Sequence, residues 1–309
     1  MSVSIIIPTF NRNKILLSCL GSILETPSGK AAEIIIVNDS STNEIELPTS
    51  WREQIILLKN TGKGVASARN LGAQHAKNDL LLFIDDDMLI TDEALMYVSK
   101  FHASHPHSAL NVNWKYPSQL YEEIKHTNFG RYLIQSGHTS LSGWLSNEDI
   151  DHRGLLARNS LASYFLSVSK ADFDSIDGYD ERFPHAGAED YDFPLRLKKS
   201  GVNFFLNTDV FVYHNEEDKV YPKVYLRRSF TAGKTRRIAV ELGYEEMAVK
   251  NGPFKKVLIK ILSPFNGFLQ MIAGMIPQAR FFDPLYFRLI YGLVAINLYL
   301  GFNHKEKNK

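Results

Sequence analysis

The 309-residue chain has a single cysteine, which excludes an internal disulfide framework. Cys19 falls in an apolar helical pattern with Ile15, Leu16, Leu20 and Ile23. It therefore reads as a buried thiol of a reducing compartment rather than as a nucleophile. The sequence also lacks an excess of either charge, with 35 Lys and Arg against 34 Asp and Glu. A dedicated nucleic-acid binder normally carries a clear basic surplus, so that class is set aside. Internal repeats and low-complexity tracts are missing too, which argues against a repeat architecture. No long apolar run is clean: Val257–Ile276 is broken by Lys260, Pro264, Asn266 and Gln270, and Leu285–Phe302 by Arg288 and Asn297. No secretory signal is read ahead of the first strand-like run, so a cytosolic body is expected.

What is present in the first 90 residues is βα alternation. Four short apolar runs, Val3–Ile7, Glu33–Val37, Gln54–Lys59 and Leu80–Asp85, are continuous rather than alternating, as strands covered on both faces should be. Helical patterns at Asn13–Leu24 and Val65–Ala76 lie between them. The expectation is an α/β fold with an open, mostly parallel sheet and helices on both faces. Farther on, the periodicity predicts a helix near Tyr121–Ile134, a polar stretch at Ser136–Arg153, a strand at Tyr164–Val168, a helix over Tyr191–Lys199 and a strand at Val210–Tyr213. From Glu216 onward the character changes to a basic helical region, Tyr221–Arg237, followed by the two interrupted apolar segments.

Ligands of open α/β sheets bind outside the carboxyl ends of the strands. Here those ends read Pro8-Thr9-Phe10-Asn11-Arg12, Asn38-Asp39-Ser40-Ser41, Asn60-Thr61-Gly62 and Asp85-Asp86-Asp87. Asp and Asn are also common turn formers, so Asp39 alone decides nothing. Three successive carboxylates at the end of a buried strand repel one another unless a cation offsets them, and Mg2+ or Mn2+ shared with substrate phosphates is the usual solution. A solvated acidic turn before the helix starting at Thr91-Asp92-Glu93 is the plainer alternative. Gly62-Lys63-Gly64 is a weak dinucleotide-type match, because Ser67 stands where a third glycine belongs. Arg69 and Asn70 follow on the same rim, where an arginine could reach a base or phosphate. Glu189 and Asp190, after Gly187-Ala188, open a helix; they either complement its dipole or aim a carboxylate out of the fold. His214 ends a strand.

In order and spacing these motifs resemble the family 2 glycosyltransferases of the GT-A fold. The resemblance runs from Met1 to about His214. It rests on Ile-Ile-Ile-Pro8-Thr9-Phe-Asn11-Arg12, Val-Asn-Asp39-Ser-Ser, Ala68-Arg69-Asn70-x-Gly72, Phe83-Ile-Asp85-Asp86-Asp87, Gly178-Tyr-Asp180-Glu181-Arg-Phe183 and Glu189-Asp190-x-Asp192. It implies a nucleotide-sugar-binding half over 1–110, an acceptor-binding and catalytic half over 111–215, and a helical extension over 216–309. It further implies an inverting transfer from a nucleotide diphosphate donor, a UDP-sugar, to an acceptor hydroxyl with Mn2+ or Mg2+. Pro8, Thr9, Asn11 and Asp39 would hold the nucleoside, with Asp39 accepting from the uracil ring N–H, and Arg69 would touch base or phosphate. Asp85 and Asp86 would lie near ribose or metal, Asp87 and His214 would be metal ligands, Asp190 the general base, and Glu189 a sugar or acceptor contact. One departure is Asn38-Asp39-Ser40-Ser41, where the family usually has Asp-Asp-Gly-Ser; the aspartate that matters is kept.

Two rivals are weighed against this. A sugar-nucleotide pyrophosphorylase carries a Gly-rich, Arg-containing loop after its first strand, and Pro8–Arg12 has no glycine. A non-catalytic nucleotide-sugar binding protein has no use for a base at Asp190. The tail adds a further expectation. From Glu216 on there are 16 Lys and Arg against 8 Asp and Glu, whereas the first 215 residues hold 19 against 26. A basic, apolar tail on an acidic body suggests an anionic membrane surface on the cytosolic side, and with it a glycan or lipid-linked glycan acceptor of surface polysaccharide synthesis. Burial against the body, a homo-oligomer contact and a true membrane span are the alternatives.

Overall fold

The computed structural model describes residues 2–145 and 152–304, and they fall into two compact units. Unit 1 comprises Met1–Pro117 and Ser140–Asn215; unit 2 comprises Ser118–Thr139 and Glu216–Lys309. The division expected at 110/111 falls inside a strand, Ser108–Lys115. Part of the polar stretch 136–153, residues 146–151, lies outside the described residues.

Unit 1 is built on a nine-stranded sheet. Its strands are β1 (Val3–Thr9), β2 (Glu33–Asn38), β3 (Ile55–Lys59), β4 (Leu80–Ile84), β5 (Met88–Leu89), β6 (Ser108–Lys115), β7 (Leu155–Arg158), β8 (Phe165–Ser169) and β9 (Asn203–His214). The order is β3-β2-β1-β4-β8-β6-β9-β5, with β7 added on β9. The β3-β2-β1-β4 half is parallel; β8 enters antiparallel to both β4 and β6, and β6 and β9 run parallel. β1 and β4 are buried along their whole length, as continuous apolar runs require. β3 differs from expectation. It ends the strand order, and only its face carrying Ile56 and Leu58 packs on the core, so Leu57 on the opposite face is exposed.

The pleat sorts this sheet between two layers. Ile6, Ile35, Val37, Leu81 and Phe83 pack with Ala66, Ala68 and Ala73 of the helix Gly64–His75 and with Phe173, Tyr179 and Phe193. The helix Asn13–Leu24 buries Leu16, Leu20, Ile23 and Cys19. Burial pushes the Cys19 thiol well above its ordinary value, so it is inert packing. β9 is much longer than the Val210–Tyr213 legible in sequence. Its polar middle is a register shift against Val112/Asn113, where the Asn207 side-chain oxygen accepts from the Asp209 and Val210 amides.

Unit 2 is helical. The helix expected over Tyr121–Ile134 is two, Ser118–Ile124 and Asn128–Gln135, because Thr127 caps the second by accepting from the Gly130 amide. With it pack Pro222–Glu241, Asn266–Met275 and Asp283–Phe302, and Pro253–Leu262 lies against Asp283–Phe302. Phe129, Tyr132, Leu226, Ala273, Ile290 and Leu293 form the core. Arg131 donates twice to Asp283, both at 2.7 Å, and the Asn128 amide donates to Gln278. Helices Pro222–Glu241 and Asp283–Phe302 cross backbone to backbone at Gly233 and Gly301, and a Cβ on Gly301 would run into the Phe230 carbonyl. Gly301→Ala is therefore expected to destabilise the protein by about 2 kcal/mol, read as a lower urea midpoint. Gly292→Ala in the same helix, with open space around its Cβ, should be neutral or slightly stabilising.

Candidate active site

The parallel register brings the ends of β1, β2 and β4 to one rim: Thr9 pairs with Asn38, and Ile6 with Phe83 one residue before Ile84. The backbone leaving β2 is tied at once, since the Asp39 amide donates to the Thr9 carbonyl at 2.9 Å. Asp39 Oδ1 then accepts from Asn60 Nδ2 (2.6 Å) and the Gly64 amide (3.1 Å). Among the described residues both bonds fall on one oxygen, so the other can meet a ligand donor. Pro8 and Thr9 are buried, and the Thr9 hydroxyl donates to Asp86 at 2.6 Å. Asn11 stands in the left-handed region with φ 56° and accepts from Asn43 at 2.9 Å.

The three carboxylates after β4 part company. Asp86 and Asp87 are buried, and Arg12 binds both, at 2.5 and 3.0 Å. The cation demanded by adjacent carboxylates is thus supplied in part by the protein itself, through a residue visible in the first motif but given no role there. Burial still raises the Asp86 carboxyl above its ordinary value, against the pull of Arg12. On the other side of Asp87, His214 at the end of β9 lies with Nε2 3.1 Å from Oδ1. Met88 of β5 pairs with His214, and the Trp114 ring stands edge-on to the imidazole. A Mn2+ or Mg2+ ion bonded at about 2.1 Å, with neighbouring donors near right angles, separates those donors by about 3 Å. Asp87 and His214 fit that requirement with one oxygen and one nitrogen.

Asp85 turns to a second arginine. Arg69, 2% exposed, donates to Asp85 at 3.0 Å and to Glu189 and Asp190 at 3.3 Å each. Its guanidinium also lies 5.0 Å from the centroid of Tyr179. Nη1 and Nη2 are occupied by carboxylates, and Nε is buried with no hydrogen-bond partner among the described residues. Glu189 and Asp190 reach this point because their helix starts at Glu189, two residues before the expected Tyr191. The preceding turn is clamped by Asn70, which donates to the Tyr179 carbonyl and accepts from its amide. Gly178 there has φ 65°, and a Cβ would sit 2.6 Å from Asn70 Oδ1, so only glycine serves.

The neighbours Glu189 and Asp190 have opposite environments. Glu189 is fully buried, and burial raises its carboxyl well above its ordinary value, with Asp190 adding to the rise and Arg69 opposing it. Asp190 keeps 37% of its side chain exposed. Desolvation raises its carboxyl too; Arg69 pulls it down and Asp85 adds to the rise, while Ser163 hydrogen-bonds it. Asp190 is thus the accessible carboxylate of the pair, and Glu189 the buried one. Asn60 and Tyr179 lie inside stretches singled out in the sequence but had no role there. Trp114 and Ser163 escaped notice, and Ser163 carries no local signal at all.

A family model described as glycosyl transferase family 2 matches residues 4–165, just over half the chain, and one described as the N-terminal domain of galactosyltransferase matches 156–216. An uncharacterized glycosyltransferase of Haemophilus influenzae is 28% identical over 197 residues, 63% of this chain and 61% of that protein. The chondroitin synthase of Pasteurella multocida is 25% identical over 70% of this chain, but the match spans only 25% of its length. Among solved structures, residues 1–349 of Staphylococcus aureus TarS superpose with a TM-score of 0.54 at 16% identity, covering 98% of this chain and 90% of that one. TarS, named a poly(ribitol-phosphate) beta-N-acetylglucosaminyltransferase, has also been solved with UDP and with UDP-GlcNAc. The Pyrobaculum calidifontis mannosyltransferase PcManGT, in complex with GDP-Man and Mn2+, gives 0.55 at 17% identity, covering 95% and 85%. These structures share the fold.

Proposed function

The chain belongs to glycosyl transferase family 2, and from that premise we propose that it moves a sugar from UDP to an acceptor hydroxyl with inversion at the anomeric carbon. The observation that carries this reading is the meeting of Asp85 and Asp190 on Arg69. It sets an exposed carboxylate from the second half of the chain beside the aspartate run that ends β4. In an in-line displacement the acceptor oxygen bonds to the anomeric carbon as the bond to the diphosphate oxygen breaks. Asp190 takes the acceptor proton as that bond forms. Asp39 accepts from the uracil ring N–H, and Asp85 borders the ribose and sugar. Arg69, spent on carboxylates, is a positioning residue that aims Asp190. Asp87 and His214 would hold Mn2+ or Mg2+, which supplies positive charge against the departing diphosphate. The acceptor is read as a glycan or lipid-linked glycan; relatives named for chondroitin and for poly(ribitol-phosphate), a polyol-phosphate chain, support a polymeric one.

The test is release of free UDP from UDP-sugars with a glycan acceptor present. Release should disappear in excess EDTA and return with added Mn2+ or Mg2+. Asp87→Asn should need much more added metal for half-maximal rate. Full turnover in excess EDTA would remove the metal from the reading.

A further inference from the structure

The stretch Pro253–Met275 is helical nearly throughout, two helices joined by a single turn at Ser263–Phe265. Its inner side, with Ile259 and Ala273, is buried. A helix on a water-soluble body has a polar outer side; this one exposes Phe254, Ile261, Phe265, Phe268, Met271 and Met275, each more than half accessible. Their spacing of three to seven residues keeps them on one side of the helical path. Only 11% of the apolar window is buried. Phe281, 86% exposed, follows directly.

Charge selects the occupant of this face. Between residues 251 and 304 the cations are Lys255, Lys256, Lys260, Arg280 and Arg288, and all five are exposed. The single acid in that span, Asp283, is engaged by Arg131. A protein partner would require acids to be matched as well; an anionic lipid surface requires only cations flanking an apolar stripe. The packing also selects the orientation. Asp283–Phe302 is locked backbone to backbone against Pro222–Glu241, a helix bearing Arg227, Arg228, Lys234, Arg236 and Arg237. Spanning would draw that charge into hydrocarbon, whereas lying in the interface leaves it in water.

We propose that the outer face of Pro253–Met275, continued by Phe281, seats in the surface of an anionic bilayer with the helix in the membrane plane. Lys255, Lys256 and Lys260 reach the headgroups and the phenylalanines enter the acyl boundary. This surface lies wholly in unit 2, and its test is independent of the transfer reaction.

The full chain is floated with phosphatidylcholine vesicles, with and without phosphatidylserine, at low and high salt. Binding is expected only with phosphatidylserine and should weaken as salt rises. Phe265→Asp combined with Phe268→Asp, both at exposed positions, should leave the melting temperature unchanged and lower partitioning by roughly tenfold or more. Lys255→Glu with Lys256→Glu should abolish the preference for phosphatidylserine. Failure of the full chain to float at low salt overturns the proposal. So does equal flotation of the double aspartate variant, or a dimer in sedimentation that the same variant disperses, which would assign the face to a second copy. Retention of the chain in cell membranes after alkaline carbonate washing would instead mean that it spans.

Discussion

Asp190→Asn should lower turnover by roughly 10²–10⁴-fold, the usual worth of a positioned base. The asparagine oxygen can still accept from Arg69, so the fold and the nucleotide affinity should be unchanged, and kcat should fall without a matching rise in the Kd for UDP. The wild-type pH profile offers an independent check. A base works deprotonated, so the rate falls as pH drops through its pKa. Desolvation raises the Asp190 carboxyl, which places that acid limb above the ordinary aspartate value of about 3.9. In Asp190→Asn the limb should vanish from the residual rate. Wild-type turnover in this variant would sink the assignment.

Arg69→Leu is expected to have the largest effect on stability. The side chain is 2% exposed and faces Glu189, which is wholly buried. Removing one partner of a buried pair leaves the other uncompensated, at a cost of about 3–5 kcal/mol. Asp85 and Asp190 are each more than a third exposed, so water compensates them and the loss belongs mainly to Glu189. Glu189→Gln added to Arg69→Leu should therefore restore much of the stability lost, because a neutral amide replaces a carboxyl that, without Arg69, must stay charged in the core or take up a proton. It should not restore turnover, since Asp190 has still lost the group that aims it. Urea unfolding of the single and double variants measures the first effect, and UDP release the second. Additive losses in the double variant would show that Glu189 and Arg69 are not coupled in this way.

The part of the candidate site on the first half of the chain was readable because its residues follow directly on strands that are legible as apolar runs. Asp39 and Asp85–Asp87 sit one to three positions past β2 and β4, so locating the strand located the residue. The second half was harder. Glu189 and Asp190 were visible as an acidic pair, but their helix begins two residues earlier than its apolar period suggests, since a first turn carries acids and little periodicity. The long β9 was truncated in sequence for a similar reason, its polar bulge reading as a loop. In unit 2 the capping Thr127 divided a periodic stretch that looked continuous.

The sequence by itself determined the strands of the parallel half, β1 to β4, the acidic rim they end on, and the apolar and basic nature of the tail, because each depends on neighbours within a few residues. Only the tertiary structure decided which charges meet. Arg12 finds Asp86 and Asp87 from 74 and 75 positions away, and Arg69 finds Asp190 across 121. No local pattern encodes such a pairing; it exists because β1 and β4 lie side by side and the Gly64–His75 helix covers them. The same holds for Pro253–Met275. Both sides of that helix are apolar, so periodicity could not say which would face the core. The packing of Ile259 and Ala273 inward chose, and left the phenylalanines outside.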